Sequence, residues 1–425
     1  MAKVFKIVPT TQKYDWGKIG LSSKVAQYAA ASKIPGFTLD EKAPYAELWM
    51  GTHPSGPSRL LASDTNETLA HYLAANPELI GGTVIERFRD AGAAEGNIPF
   101  LLKVLAIGKA LSIQTHPDKK MAEELHRERP DVYKDANHKP EMALALTPFT
   151  AMCGFLPLQK TATYLLSTPE FAALIPQATV DKFLSVASSS NPTGSCEKAA
   201  LRDVFSAVMT ATEVEFQAQL AKLVQRYEAG RALPAESGVK DLVLRLNSQF
   251  PGDIGVFCAF MLNHVSMNPG DAIFLAAGEP HAYVSGDIVE CMATSDNVIR
   301  AGLTPKLRDI PNLVSGLTYR AADASRHLVK PASFDNTTHT TLYDPPIPEF
   351  SVLRVVLPTG AAEAHRAIDG PSIAIVTEGA GEVESDGQRV QVAEGDVLFV
   401  AAGAEAQIIA GANGLIVYRA FVEVK

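Results

Sequence analysis

The sequence GDAIFLAAGEPHA at residues 270–282 aligns without gaps on GDVLFVAAGAEAQ at residues 395–407. Each copy carries an apolar run between a Gly-Asp pair and an Ala-Gly pair, a pattern that predicts a buried strand followed by a tight turn. Self-similarity of this kind indicates a duplicated supersecondary unit. The chain is therefore predicted to contain two β units related by duplication.

Only the first copy carries an imidazole near its end. The form G-D-x-x-x-x-x-A-G-x-x-H resembles the second motif of cupins, small jelly-roll β-barrels in which the final His binds a metal. His281 occupies that position in the first copy, whereas Ala406 occupies it in the second. Because both copies keep the same hydrophobic frame, the contrast favours a chemical role for His281 over that of an ordinary core histidine.

Polar residues upstream could complete a metal site with His281. Gln114 and His116 are two residues apart in LSIQTH, so an extended strand would point both to one face. Glu141 follows in NHKPE. One amide oxygen, one carboxylate and two imidazoles suit a borderline divalent metal such as zinc. The surrounding segments are hydrophobic, and polar groups buried there need partners.

Several segments resemble the signature sequences of the type I mannose-6-phosphate isomerases, also called phosphomannose isomerases. They are, in chain order, YDWGK, PYAELWMGTHPSG, ALSIQTHPDKK, DANHKPEMALALTPF, PGDAIFLAAGEPHAYVSGDIVECM and SDNVIRAGLTPK. The match runs from Tyr14 to Lys306 and is very specific. The helical middle and the C-terminal quarter match only loosely.

The resemblance implies a zinc-dependent aldose–ketose isomerase. We expect one zinc ion per chain, held by Gln114, His116, Glu141 and His281. The implied substrates are mannose 6-phosphate and fructose 6-phosphate, interconverted through an enediolate, and the implied role is to feed mannose into GDP-mannose and glycan synthesis. The resemblance also implies that Arg300 is the catalytic arginine.

Isomerisation requires a proton to be abstracted beside the carbonyl. Glu290 is one candidate, because burial in VECM would raise the pKa of its carboxylate towards that of a useful base. Lys139 is another, because it lies two residues from Glu141.

Further residues are predicted to contact the substrate. The phosphate would accept hydrogen bonds from Ser112, Lys103 and Lys306. His53 in GTHPSG could assist opening of the sugar ring, and Trp16, Glu47 and Tyr283 are expected to line the cleft.

Two other classes of protein are compatible with parts of the pattern. His116, Glu141 and His281 alone would form the two-His-one-carboxylate triad of non-haem iron oxygenases. Gln114 argues against that class, because a fourth protein ligand removes one of the open positions that an oxygenase needs. A non-catalytic binding or storage protein with two barrels would share the fold without the chemistry. A complete ligand set in only one copy argues against it.

The type of secondary structure that the sequence pattern predicts changes twice along the chain. Short β-like runs come first, and similar runs return in the last part of the chain. Between them, apolar residues follow helical spacing at Leu201, Val204, Phe205 and Val208 and at Phe216, Leu220, Leu223 and Tyr227. We predict a mainly β fold with an α insertion, in which cupin-type double-stranded β-helix (jelly-roll) barrels accompany a helical domain. The predicted segments are 1–155 and 251–330 for the catalytic cupin region, 156–250 for the helical insertion and 331–425 for a degenerate C-terminal barrel.

Composition excludes several partners. With 38 basic and 47 acidic residues, the chain has no basic stripe for nucleic acid or an anionic membrane, and no stretch is long and apolar enough to span a bilayer. The N-terminus lacks the apolar run of a signal peptide, so we expect a cytoplasmic protein, which we take to be a monomer. The four cysteines are scattered, which predicts neither a disulfide framework nor a thiolate metal site.

Overall fold

The first sheet is antiparallel and is assembled from two separate stretches of the chain. A computed structural model describes residues 2–61 and 66–424. The strands of the first sheet are β2 (Thr10–Gln12), β5 (Glu47–Met50), β7 (Phe100–Ile107), β8 (Ile113–Thr115), β9 (Glu141–Ala145), β10 (Phe149–Phe155), β11 (Leu262–Met267), β12 (Ala272–Leu275), β13 (His281–Ala293) and β14 (Ile299–Gly302). Strand β13 pairs with β7, β8, β9 and β10 and so joins the two stretches. The pairs β10–β11, β9–β12 and β8–β14 join them as well.

The second sheet is also antiparallel and belongs mostly to the C-terminal quarter. Its strands are β1 (Val4–Val8), β6 (Arg59–Leu60), β15 (Ala332–Ser333), β16 (Thr340–Tyr343), β17 (Ser351–Leu357), β18 (Ala362–His365), β19 (Ser372–Ser385), β20 (Gln388–Ala393), β21 (Val397–Val400) and β22 (Ala406–Phe421). The N-terminal strand β1 pairs with β21 along the register Val4↔Val400 to Ile7↔Val397. The start of the chain thus completes a sheet built from its end. A separate two-stranded pair joins β3 (Lys18–Ile19) to β4 (Pro44–Tyr45).

Helices lie mainly between β10 and β11. The α-helices are α1 (Lys24–Ala31), α2 (Leu69–Ala75), α3 (Gly82–Arg87), α4 (Lys119–Glu128), α5 (Leu158–Ser167), α6 (Pro169–Ala172), α7 (Gln177–Val186), α8 (Ser195–Thr210), α9 (Glu213–Glu228), α10 (Lys240–Gln249) and α11 (Ile310–Gly316). Short 3₁₀ helices span Gly20–Ser22, Pro77–Leu79, Arg89–Ala91, Ala93–Glu95, Pro234–Glu236, Ile254–Phe260 and Ala324–His327. The apolar positions predicted from helical spacing are the buried faces of α8 and α9. Helix α9 starts at a capping box formed by Thr212 and Glu215.

The two copies of the repeat adopt the same local structure at matching positions. Each copy forms a short strand, a turn and the start of a long strand, as β12 and β13 in the first sheet and β21 and β22 in the second. Gly270 and Gly395 have φ of 94° and 86°, and Gly278 and Gly403 have φ of 72° and 69°. Glycine is the residue that adopts these angles at little cost, so the shared glycines fix the shared turns.

A common core joins the two sheets. Outward side chains of the first sheet, such as Leu102, Val104 and Met142, belong to the same buried cluster as Ile373 and Phe399 of the second sheet. The alternate residues of β7 face the opposite side, where Leu105 and Ile107 belong to a separate cluster. Strand β7 is therefore buried on both faces, which explains its nearly continuous apolar sequence.

The proportions of helix and strand differ from the sequence-based expectation. Each accounts for about 31% of residues, so the chain is mixed rather than mainly β. The expected antiparallel sheets and helical section are present, but helices α1 to α4 and α11 outside that section raise the helix content. The predicted segment boundaries stay predictions. Among the described residues, no helix combines the length and apolarity needed to cross a bilayer.

Candidate active site

Three of the predicted metal ligands meet in the first sheet. His116 directly follows β8, Glu141 begins β9 and His281 begins β13, and a ligand atom from each lies within 4.8 Å of those of the other two. His116 Nε2 is 3.4 Å from Glu141 Oε1, and His281 Nε2 is 3.3 Å from Glu141 Oε2. All three side chains are buried. The pairing of β8 and β9 with β13 brings these residues together despite the helices between them.

The hydrogen bonds of the two imidazoles show which ring nitrogen of each carries no proton. His116 Nδ1 is 2.7 Å from the carbonyl oxygen of Asn297, and His281 Nδ1 is 3.0 Å from that of Glu279. A carbonyl only accepts hydrogen bonds, so each Nδ1 carries the proton and each Nε2 has a lone pair. Both Nε2 atoms and Glu141 Oε2 are buried and have no hydrogen-bond partner in the part of the chain that the structure describes. Three converging acceptors with no proton between them fit a divalent metal ion.

The electrostatics keep His116 and Glu141 in the forms that can bind a metal. Burial lowers the pKa of His116 to about 4, so its imidazole is neutral near pH 7. Burial alone would raise the pKa of Glu141, but the positive charge of Lys139 holds it well below its usual range. Lys139 Nζ lies 3.0 Å from Glu141 Oε1. Neutral imidazole and ionised carboxylate are the states that bind a metal.

The fourth predicted ligand lies beside the other three. Gln114 is opposite His281 of β13 in the strand register and opposite Arg300 of β14 on the other side. Directly opposed residues in antiparallel strands project to the same face of the sheet. The sheet therefore places Gln114, His281 and Arg300 on one face.

A cavity of about 390 Å³ opens beside the predicted metal ligands. It is lined by most of the residues predicted from sequence to act in catalysis or substrate binding, namely Trp16, Glu47, Lys103, Ser112, Lys139, Tyr283, Glu290, Arg300 and Lys306, and by the predicted metal ligands Gln114 and Glu141. His116 and His281 lie behind its wall. His53 does not line it either. Its Nε2 is 3.4 Å from Asp296 Oδ1, and its ring packs edge-on against Trp49.

Lys103 lies between two carboxylates on the inner face of β7. Its Nζ is 3.2 Å from Glu290 Oε2 and 3.5 Å from Glu47 Oε2. Burial alone would lower the pKa of Lys103, but the two carboxylates raise it above its usual value. Burial and then the negative charge of Glu141 raise the pKa of Glu290, against the opposing effect of Lys103. Lys103 is therefore a buried ammonium, and Glu290 is a carboxyl group of increased basicity.

Arg300 and Lys306 differ from Lys103 in having no acidic partner. Within residues 2–61 and 66–424, neither side chain forms an ion pair or a hydrogen bond. Arg300 is half-buried, and this burial lowers the pKa of its guanidinium. Lys306 is exposed at the rim. The cavity thus offers positive charge that the protein itself does not neutralise.

Lys109 and Phe250 are among the lining residues that were not predicted from the sequence. Lys109 lies at the rim with its Nζ 4.2 Å from the ring centre of Phe250, which follows the last helix of the helical section. The backbone N–H of Ala110 donates to Gln249 Oε1 at 2.9 Å. The proximity of Lys109 to Ser112 in the sequence could have indicated its place. Nothing in the sequence places Phe250 there, because its position depends on how the helices pack.

Comparison with protein families gives three matches along the chain. Residues 4–158 match the model described as the catalytic domain of phosphomannose isomerase type I. Residues 174–262 match the helical insertion domain of the same family, and residues 341–388 match its C-terminal part.

Individual relatives agree over nearly the whole length. The chain is 49% identical to mannose-6-phosphate isomerase of Cryptococcus neoformans var. neoformans serotype D and 43% identical to that of Saccharomyces cerevisiae, with 99% of each chain covered in both cases. The crystal structure of mannose 6-phosphate isomerase from Salmonella typhimurium bound to fructose 6-phosphate and zinc superposes with a TM-score of 0.80 at 28% identity, covering 100% of both chains. A mannose 6-phosphate isomerase structure bound with zinc and yttrium gives a TM-score of 0.81 at 28% identity over 100% of both chains.

Proposed function

The chain belongs to the type I phosphomannose isomerase family, and we propose that it interconverts mannose 6-phosphate and fructose 6-phosphate through an enediolate. The observation that carries this proposal is the convergence of three unpartnered acceptors beside a cavity that also holds an unpaired guanidinium. A binding or storage protein would not need both features.

Zinc is the metal we propose for the acceptors, one ion per chain. Gln114, His116, Glu141 and His281 would hold it, and their mixed nitrogen and oxygen donors suit zinc. When bound, the ion supplies Lewis-acid polarisation of the substrate oxygens next to the reacting carbons. Solved relatives carry zinc, which supports this choice.

Glu290 and Lys139 are the groups that we propose to move protons. The raised pKa of Glu290 makes its carboxylate a stronger base for a proton on the carbon beside the carbonyl. Lys139 has its ammonium 3.0 Å from Glu141, beside the ligand set, and could hold a proton close to a substrate oxygen. Arg300 would then face the negative charge that develops on the two oxygens of the enediolate.

The phosphate group belongs, on this proposal, at the rim of the cavity. Lys103 and Lys139 are paired with carboxylates, whereas Lys109, Lys306 and Arg300 have no such partner within the described residues. A phosphate dianion is bound best by cations that are not already neutralised. We therefore favour Lys306 with Ser112, supported by Lys109, over Lys103 for the phosphate.

Other features of the proposal come from the family alone. The product would feed GDP-mannose and glycan synthesis, and each sheet would close as a cupin-type jelly roll. A cytoplasmic location and a monomeric state stay predictions.

A coupled assay of mannose 6-phosphate conversion tests the proposed function. Activity should be lost after removal of metal by a chelator and should return on addition of zinc. Conversion that survives complete metal removal would contradict the proposed chemistry. Oxygen consumption that depends on iron would instead favour the oxygenase, for which His116, Glu141 and His281 alone would suffice.

A further inference from the structure

Two loops meet beside the metal ligands and are joined through Asp135. One loop, residues 135–137, precedes Lys139 and Glu141, and the other, residues 294–297, precedes Arg300. Ser295 Oγ donates to Asp135 Oδ1 at 2.8 Å, and the N–H of Asp296 donates to Asp135 Oδ2 at 2.8 Å. The carboxylate also accepts from the N–H of Asn137 in its own loop, at 2.9 Å. Both oxygens of Asp135 are thus used to hold the loops together.

The second loop also carries the carbonyl that orients His116. His116 Nδ1 donates to the carbonyl of Asn297 at 2.7 Å, across 181 positions of the chain. The side chain of Asn297 is 1% exposed and is fixed in turn by the first loop. Its Nδ2 donates to the carbonyl of Asp135 at 2.7 Å, to the carbonyl of Asn137 at 2.9 Å and to Asp135 Oδ1 at 3.2 Å.

We infer that Asp135 is a positioning residue for the metal centre, acting through Asn297 on the imidazole of His116. Partners of this kind fix the tautomer and the ring orientation of a metal-binding histidine. The inference rests on the proposed function, because it takes His116 as a zinc ligand. Without the carboxylate of Asp135, Ser295 Oγ, the N–H of Asp296 and Asn297 Nδ2 each lose an acceptor. The bonds from Asn297 Nδ2 to the backbone carbonyls of residues 135 and 137 remain, so the carbonyl of Asn297 is held less firmly and His116 Nε2 is aimed less exactly at Glu141.

The other imidazole is held in a different way. His281 Nδ1 donates to the carbonyl of Glu279, only two residues away in its own chain segment. The side chain of Glu279 accepts from Thr318 Oγ1 at 2.8 Å and pairs with Arg326. None of these residues contacts Asp135 within the described part of the chain. Loss of Asp135 should therefore affect one zinc ligand and leave the other in place.

Zinc affinity, measured by competition with a chromophoric chelator, tests this inference directly. Asp135→Ala should raise the Kd for zinc by about 10–100-fold, the range typical for loss of such a partner. Its kcat should fall at low zinc and recover at high zinc, while KM for the sugar phosphate changes little. Asp135→Asn should have a smaller effect, because its amide oxygen can still accept from Ser295 and Asn297 but its NH₂ group opposes the N–H of Asp296.

Glu363 of the second sheet provides a matched control. Its carboxylate likewise holds a loop, accepting from the N–H groups of Thr338 at 2.6 Å and His339 at 2.9 Å and from the hydroxyl of Thr340. Glu363→Ala should lower the melting temperature without changing the Kd for zinc.

The outcomes separate this inference from the proposed function. If Asp135→Ala loses thermal stability as Glu363→Ala does but binds zinc as the unmodified protein does, Asp135 is only structural and the inference fails. Should Asp135→Ala fail to fold, an unchanged zinc Kd in Asp135→Asn would overturn it equally. If the unmodified protein binds no zinc, both the inference and the proposed ligand set are wrong.

Discussion

The two sheets carry the same repeat, but they place different side chains at its chemically important positions. In the first sheet, Gln114 lies opposite His281 at the start of the long strand β13. In the second sheet, His365 lies opposite Ala406 at the start of the long strand β22. The second sheet therefore has an imidazole after all, but on the neighbouring strand.

Further register matches extend this comparison. Glu141 pairs with Leu275 in the first copy, and Ser372 pairs with Val400, the repeat counterpart of Leu275, in the second. A proposed metal ligand with a negative charge is thus replaced by a neutral hydroxyl.

The charge is reversed at another matching position. Glu290 lies opposite Ala143, two positions after Glu141, and Arg419 lies opposite Ala374, two positions after Ser372. A carboxylate in the first sheet corresponds to a guanidinium in the second.

The buried polar side chains of the second sheet bond mainly to one another. Arg419 is 2% exposed and donates to Ser372 Oγ at 2.9 Å and to His365 Nδ1 at 3.2 Å. His365 Nε2 is 2.9 Å from Thr340 Oγ1, which donates to Glu363. In the first sheet, by contrast, three acceptors that converge on one another and the guanidinium of Arg300 have no hydrogen-bond partner within residues 2–61 and 66–424, whereas Arg419 Nε is a single unpartnered atom. The comparison teaches that several unsatisfied polar groups converging on one point, more than buried polar groups as such, mark the proposed reactive site.

The largest effect is expected for His281→Ala, which gives the first sheet the residue that the second sheet has at the matching position, Ala406. His281→Ala removes one imidazole from the metal ligands, so zinc should fall from one per chain towards none. Because a Lewis acid contributes several kcal/mol to the stabilisation of a transition state, kcat should fall by about 10³-fold or more. Elemental analysis and the coupled assay check this. Full zinc content with normal activity would exclude His281 as a ligand.

The next largest effect concerns the two guanidinium groups. Arg300→Ala should lower kcat by about 10²–10³-fold while KM changes far less and zinc stays bound, since negative charge develops near Arg300 only in the transition state. Arg419→Met in the second sheet should leave kcat unchanged and destabilise the protein by about 1–3 kcal/mol, because Ser372 and His365 lose a donor. A steep rise in KM at constant kcat for Arg300→Ala would instead make Arg300 a ligand of the phosphate.

A smaller effect is expected on the pH dependence of stability when His365 is replaced by glutamine, the residue type found at the matching position Gln114. Burial, followed by the charge of Arg419, lowers the pKa of His365 to about 3. An unfolded histidine binds a proton below about pH 6.5 but folded His365 does not, so acid favours unfolding across this range. Between pH 7 and pH 5, His365→Gln should therefore lose about 2 kcal/mol less stability than the unmodified protein. Urea unfolding at both pH values measures the difference, and equal losses in the two proteins would contradict the argument.

The smallest effect is expected for the reverse change, Ala406→His, which gives the second sheet the residue type of His281. Ala406→His should create no second zinc site, because Ser372 stands where Glu141 would be needed and Arg419 repels a cation. Zinc content should stay at one per chain. A second equivalent of bound zinc would mean that the two sheets differ less than their register indicates.

The sequence predicted those features that depend on local patterns. The repeat gave matching strands and turns at both copies, and helical spacing located α8 and α9. Polar residues in apolar segments indicated the cluster of His116, Glu141 and His281, because burial makes such residues costly without a partner.

Features that depend on packing could not be predicted. The likeness between the copies is visible in sequence only around the turn, and helices α5 to α10 interrupt the first copy alone. No constant spacing therefore relates His365 to Gln114 or Arg419 to Glu290. The match appears only in the strand register, which long-range pairing determines.

The pairing of β1 with β21 has a consequence for the synthesis of the protein. Val4 leaves the ribosome before its partner Val400, which lies 396 positions later in the chain (400 − 4). The pairing of β1 with β21 thus cannot form on the nascent chain until the residues between them have been made, and β1 must be kept from aggregating until then. A fusion partner placed before β1 would be attached to the strand that must wait for β21. Such a fusion should therefore slow maturation more than one at the C-terminus.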